Sequence, residues 1–128
     1  MSYLTDDELQ LASRFLFLSM TIIVIEKDLK TVHNGPFKLK RPYIEILERM
    51  HTKALAERRQ LRQKMNQSQI KVTLLQKDEL FSTFLFVGKT KEEQRNYFNP
   101  SIKKRVQSIF WDLLRETVAG SEDDLVGI

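Results

Sequence analysis

The residues best suited to chemistry in this sequence are basic ones. Arg58, Arg59, Arg62 and Lys64 lie within one short segment. The planar guanidinium group donates two parallel hydrogen bonds to a phosphate or carboxylate, so arginines at helical spacing are typical of contact with an anionic partner. Three basic residues of the preceding loop extend this set. We expect contacts to nucleic acid or to an acidic protein surface from Lys38, Lys40, Arg41, Arg58, Arg59, Arg62 and Lys64.

A solvated helix face is the alternative interpretation of the same cluster. Glu45 precedes Arg49 by four residues, and Lys53 precedes Glu57 by the same spacing. Opposite charges at this spacing neutralise one another on a helix surface. Runs of charge mostly serve solubility, whereas contact with nucleic acid predicts an affinity that falls steeply with salt. Both interpretations stay open at the level of the sequence.

An apolar strip near the C-terminus is the second candidate contact surface. Trp111, Leu114 and Val118 lie together on one side of a predicted helix, well round from that helix's inner stripe. Tryptophan dominates the binding energy of many protein interfaces. The strip predicts contact with another protein or with a second copy of the chain. The alternative is that another element of the same chain covers it.

Motifs for catalysis or metal binding are incomplete. Glu48 and His51 form one E-x-x-H, but a carboxylate-bridged di-iron bundle supplies two such motifs and further glutamates. Residues 88–90 (GKT) match the end of a phosphate-binding loop, yet Thr83 stands where that loop requires its first glycine. The chain has no cysteine, which excludes disulfides and thiolate catalysis. We therefore expect no enzyme activity, cofactor, metal or small-molecule substrate.

The first element that positions these residues is a helix. Thr5 and Glu8 form the S/T-x-x-E pattern of a helix N-terminus, which predicts a helix from about Asp6. Its apolar residues occupy most sides, as in a central core helix. The apolar run at residues 15–25 is about half of the roughly 20 residues that a membrane span needs, so we expect no membrane contact. Residues 33–36 (HNGP) predict a turn before which the helix ends.

A second helix carries the basic cluster. Pro42 suits its first turn, where the missing N–H costs nothing. The helix is predicted to reach about Asn66, since apolar residues recur every three or four positions at Tyr43, Leu47, Met50, Ala54, Leu61 and Met65. Arg58 falls on this stripe and Arg62 at its edge. We therefore expect the last two turns to project beyond the core.

Residues 70–87 change to a strand pattern. Apolar residues alternate with polar ones from residue 70, and an aromatic, β-branched run follows at residues 80–87, which predicts a β-hairpin with a helix as the alternative. We expect the aromatic residues of the hairpin, and the two that follow it, to lie in the core rather than to stack on bases. They are Phe81, Phe84 and Phe86, followed by Tyr97 and Phe98.

Asn99 and Pro100 predict the start of a last helix, and Gly120 predicts its end. An acidic tail follows at residues 121–128. Charge is divided along the chain, with a net +9 at residues 27–77 and an acidic balance on either side. Such a division favours binding of a charged partner.

The sequence thus predicts one domain at residues 1–120, mainly α with minor β: a three-helix core with a β-hairpin before the C-terminal helix. We expect a cytoplasmic, non-enzymatic regulatory or adaptor protein that binds another protein or itself as a homodimer. The alternative is a nucleic-acid-binding accessory protein that uses the basic second helix.

Overall fold

The fold was obtained as a computed structural model, which describes the backbone of residues 3–126 and the side chains of residues 3–120. It is a helix-dominated α+β domain with three helices and one three-stranded antiparallel sheet. The elements are α1 (Asp6–Asn34), α2 (Lys40–Gln67), β1 (Lys71–Lys77), β2 (Phe81–Val87), β3 (Glu92–Phe98) and α3 (Asn99–Val126). The predicted β-hairpin is present as β1 and β2. The prediction is incomplete, because β3 adds a third strand to the sheet.

The start of α1 follows the prediction. Thr5 Oγ1 accepts a hydrogen bond from the Glu8 amide at 3.2 Å, and the Thr5 amide donates to Glu8 Oε1 at 2.8 Å. This reciprocal pair satisfies two amides that a helix start leaves free. The helix continues past the predicted end as far as Asn34. The chain then turns at Gly35, where a Cβ atom would lie 2.7 Å from the Thr31 carbonyl oxygen.

Taken alone, α1 is long and apolar enough to cross a membrane. The whole helix is longer than the apolar run at residues 15–25. In this fold, however, α1 packs against α2, α3 and β1. Arg14, in its third turn and directly before the apolar run, forms an ion pair at 2.6 Å with Glu57 of α2. The helix is thus joined to the rest of the domain by apolar packing and by an ion pair.

Two hydrophobic clusters form the core. The first lies among the three helices and contains Phe17, Leu18, Ile22, Ile25, Met50, Ala54, Ile109 and Leu113. The second joins the helices to the inner face of the sheet and contains Leu4, Ala12, Met65, Ile70, Phe84 and Phe86. Met65 is buried in the last turns of α2, so the prediction that this end of the helix projects beyond the core is wrong.

The sheet has the order β1-β2-β3, with β2 in the centre. Side chains alternate between the two faces of a strand, so Phe84 and Phe86 point into the core as predicted. Phe81 and Phe98 pair across β2 and β3 on the outer face, with ring centroids 5.6 Å apart. Both rings are exposed, so the prediction that they lie in the core is wrong.

The last helix begins at Asn99, as predicted, but it ends later than predicted. The Asn99 side-chain amide donates to the carbonyl oxygens of Asp78 and Glu79, at 2.9 and 3.1 Å. It therefore ties the β1–β2 turn to the start of α3. The helix runs through Gly120 to Val126. The predicted end at Gly120 is wrong, and the backbone of residues 121–126, placed by the sequence in a tail, belongs to the helix.

Candidate interaction surfaces

The structure separates the seven predicted basic contact residues into two groups at opposite ends of α2. Lys38, Lys40 and Arg41 lie at its start. Lys40 Nζ donates to the His33 carbonyl oxygen at 2.8 Å, and Arg41 pairs with Glu45 at 3.1 Å. The other group is Arg58, Arg59, Arg62 and Lys64, near the end of the helix. Arg41 and Arg58 are 17 positions apart, which corresponds to about 25 Å of helix.

The group at the end of α2 packs partly onto α1. The guanidinium carbons of Arg58 and Arg62 lie 4.7 and 5.5 Å from the ring centroid of Phe15. Arg58 Nε also donates to Ser19 Oγ at 2.8 Å. Burial lowers the pKa of Arg58, and the neighbouring positive charge of Arg62 lowers it further. Two like charges thus share one aromatic ring.

No ion pair compensates these two arginines within the described residues. The sequence predicts that Glu57 is neutralised by Lys53, but Glu57 instead accepts two hydrogen bonds from Arg14, at 2.6 and 2.9 Å. These bonds raise the pKa of the Arg14 guanidinium. Lys53 lies 3.8 Å from Glu116 of α3. Because Glu57 is directed to α1, the end of α2 stays strongly positive.

A cleft of about 380 Å³ opens beside these arginines, between α1, the end of α2 and β1. We call it the basic cleft. Its lining combines an apolar floor with polar and basic groups and contains no acidic residue: Phe15, Arg62, Met65, Asn66, Ile70, Lys71, Val72 and Thr73. Arg62 is the one of the four that lines the cleft. Arg58 stands beside the cleft, over the same ring as Arg62, whereas Arg59 and Lys64 do neither.

The predicted strip on α3 is only partly covered by the rest of the described chain, since Leu114 packs against the first cluster while its two neighbours are exposed. Trp111 is 52% exposed and Val118 38% exposed, while Leu114 is half-buried. Arg115 lies over the Trp111 ring at 5.7 Å and pairs with Asp112 at 2.9 Å. The three residues Trp111, Leu114 and Val118 form what we call the α3 apolar face. Neither the sheet nor α1 covers Trp111.

An apolar groove continues from this face. Its volume is about 490 Å³, and Leu114 belongs to both the groove and the α3 apolar face. The groove lies between the end of α1, the start of α2 and α3, and is lined by Asp28, Thr31, Val32, Phe37, Tyr43, Ile46, Leu47, Met50, Phe110 and Leu114. Phe37 and Tyr43 lie at its exposed edge, with ring centroids 5.6 Å apart. The sequence placed Tyr43 on the core stripe and did not single out Phe37.

His51 makes a contact between helices. Its Nε2 atom lies 3.0 Å from Glu26 Oε2 of α1, rather than sharing a ligand site with Glu48. Among residues with described positions, no group of three or more His, Cys, Asp or Glu side chains could hold a metal ion.

The described chain is therefore a helix-dominated α+β domain whose surface carries a basic cleft and an apolar helix face. It belongs to the YhjD protein family, whose family model matches residues 3–118. The chain is similar to the "Uncharacterized protein YhjD" of Bacillus subtilis (strain 168), with 29% identity over 109 residues that cover 85% of this chain and 91% of that protein. No solved structure matches the chain at a significant level.

Proposed function

We propose that this chain is a small, non-enzymatic regulatory or adaptor protein that acts by protein–protein interaction and associates with a second copy of itself. The observation that carries the proposal is Trp111, which is 52% exposed at the N-terminal end of the α3 apolar face. Tryptophan and arginine are enriched among the few residues that dominate the binding energy of protein interfaces. The half-buried Leu114 continues this face into the apolar groove.

The pattern along α3 favours a second helix of the same kind as the partner. Lys104, Trp111 and Val118 recur every seven residues, and Gln107 and Leu114 share that spacing. A seven-residue repeat of apolar positions gives a continuous seam along which another helix can pack. Only the central part of this seam is apolar, so the proposed contact is short and centred between Trp111 and Val118.

Charge supports an antiparallel arrangement of the two α3 helices. The start of α3 is basic, with Lys103, Lys104 and Arg105, whereas its sequence after Trp111 contains Asp112, Arg115, Glu116, Glu122, Asp123 and Asp124. An antiparallel pair brings the basic start of one helix beside the acidic end of the other. Such complementarity selects orientation and speeds association more than it adds affinity.

Molecular mass in solution tests the proposal. Light scattering over a series of concentrations is expected to give about twice the 15.1 kDa chain mass for the wild type. Trp111→Glu places a charge within the contact and is expected to give the mass of one chain. The matched control is Leu80→Glu, because Leu80 is similarly exposed, at 57%, but lies in the β1–β2 turn. A wild type of single-chain mass at every concentration, or equal dissociation by both variants, contradicts self-association.

The alternative, a nucleic-acid-binding accessory protein, has weaker support. Its seven predicted contact residues lie in two groups about 25 Å apart along α2, and those at the start of the helix include Lys40 and Arg41, which have partners within the chain.

We also propose a cytoplasmic location. The absence of cysteine agrees with a reducing compartment, and α1 is packed inside the domain.

A further inference from the structure

We propose that the basic cleft, together with Arg58 beside it, is a binding site for a phosphate group, with Arg58 and Arg62 as the principal donors. The site is independent of the α3 apolar face and goes beyond the function proposed above. Its ligand class is a small phosphate-bearing anion, either inorganic phosphate or a phosphate monoester.

The first argument is that the two guanidinium groups are held in place before any ligand arrives. Both lie over the Phe15 ring, and Arg58 is fixed further by its hydrogen bond to Ser19. A free arginine side chain loses considerable rotamer freedom when it binds a ligand. Part of that cost is already met on folding here, so each hydrogen bond to an anion contributes more to affinity.

The second argument concerns charge. Arg58 and Arg62 stand beside each other without an ion-pair partner among the described residues, since Glu57 is held by Arg14. Burial lowers the pKa of Arg58, and the positive charge of Arg62 lowers it further. An oxyanion between them replaces repulsion with two attractive, charge-assisted contacts, and these are stronger than hydrogen bonds between neutral groups.

The third argument is the rest of the lining. Asn66 of α2, with Lys71 and Thr73 of β1, supplies further donors in the same lining. The chain reaches this position through Gln69, whose φ of 55° lies in the left-handed region, and through a 2.8 Å bond from the Ile70 amide to the Met65 carbonyl oxygen. This sharp turn places β1 directly against the end of α2, so that groups from both elements face one space.

The size of the cleft favours a small ligand. About 380 Å³ lies near the lower end of the range of small-molecule sites. Phe15 also gives the cleft an apolar floor, against which the carbon portion of a phosphate monoester can pack. A nucleic-acid backbone would instead require a continuous basic track, and the basic residues at the start of α2 are remote from this cleft.

Calorimetric titration of the full chain tests the site with three probes at matched ionic strength: inorganic phosphate, phenyl phosphate and a single-stranded oligonucleotide. We expect phosphate or phenyl phosphate to bind, and tighter binding of phenyl phosphate identifies a monoester as the better ligand. Arg62→Gln is expected to weaken the binding by about tenfold or more, since it removes a charge-assisted contact. Arg59→Gln is the control, because Arg59 is adjacent in sequence but exposed and outside the cleft.

Three results overturn the proposal: no heat with either phosphate probe, equal weakening by Arg59→Gln and Arg62→Gln, or binding of the oligonucleotide alone. Lys71→Gln is a second test variant on a different element, and it too is expected to weaken phosphate binding. Trp111→Glu is expected to leave phosphate binding unchanged. Failure of the phosphate site and failure of self-association can therefore be distinguished.

Discussion

The Phe15 ring contacts the guanidinium groups of two arginines. Replacing Phe15 by leucine tests whether these contacts contribute to the free energy of unfolding. Phe15 is half-buried and packs at the edge of the second hydrophobic cluster. Leucine keeps an apolar side chain at this position but has no π-face. Both guanidinium carbons lie within the range of about 6 Å at which a cation is attracted to an aromatic ring.

The expected cost follows from these two contacts. A cation–π contact contributes about 0.5–1 kcal/mol at exposed positions and more where the cation is desolvated. Arg58 is the closer and less exposed of the two arginines. We therefore expect Phe15→Leu to lower the free energy of unfolding by about 1–2 kcal/mol, and to lower the thermal midpoint by roughly 4–8 °C for a domain of this size.

A double-mutant cycle measured by urea unfolding separates the ring contact from general packing. The four proteins are the wild type, Phe15→Leu, Arg62→Gln and the double variant. The expected coupling energy between Phe15 and Arg62 is about 0.5–1 kcal/mol. The same cycle with Arg59→Gln serves as the control and is expected to be additive. Additivity of Phe15 and Arg62 to within about 0.3 kcal/mol would refute the reasoning, because residues that do not interact add to within that margin.

Two further predictions concern stability. A hydrogen bond from the Thr5 backbone amide lowers the pKa of the Glu8 carboxyl, and a hydrogen bond from the Lys91 side chain lowers it further. Its contribution to stability is therefore present above the unfolded-state value of 4.5 and is lost as pH falls through the lower folded-state value. The difference in unfolding free energy between the wild type and Glu8→Gln should shrink across that window in urea titrations; a constant difference contradicts this linkage. Gly35→Ala should destabilise by about 1–3 kcal/mol, because its Cβ would lie 2.7 Å from the Thr31 carbonyl oxygen. Gly120→Ala, with no heavy atom within 4 Å, should stabilise α3 by about 0.5–1 kcal/mol. Equal thermal midpoints for the two variants would contradict the contrast.

The sequence predicted the features that depend on neighbouring residues. The capping box of α1 needs only Thr5 and Glu8, and the bounds of α2 follow from Pro42 and a regular apolar stripe. β3 was missed because its sequence, EEQRNYF, is mostly polar and forms an edge strand with few inward residues. Gly120 predicts a helix end, but α3 continues through it, because a glycine in a helix interior only weakens the helix.

Contacts between distant residues could not be read from spacing. The four-residue rule paired Glu57 with Lys53, but its partner in the fold, Arg14, is 43 positions away. The stacking of Arg58 and Arg62 on Phe15 likewise joins two helices. How these helices are rotated relative to each other cannot be predicted from the spacing of residues within either one. The basic cleft depends on these two contacts, so the sequence indicated its arginines but not its aromatic floor.

The length and apolar character of α1 also matter during synthesis. A ribosome adds about 5–20 residues per second, so the 42 residues from Ile25 to the end of α2 at Gln67 take roughly 2–8 s to follow. During that interval the apolar residues of α1 have no α2 to cover them. The nascent helix then exposes an apolar surface like that of a segment that inserts into a membrane or binds a chaperone. Charged residues flank the apolar run on both sides, at residues 6–8 and 14 before it and at residues 26–28 after it, and they favour water for this segment until Arg14 can pair with Glu57.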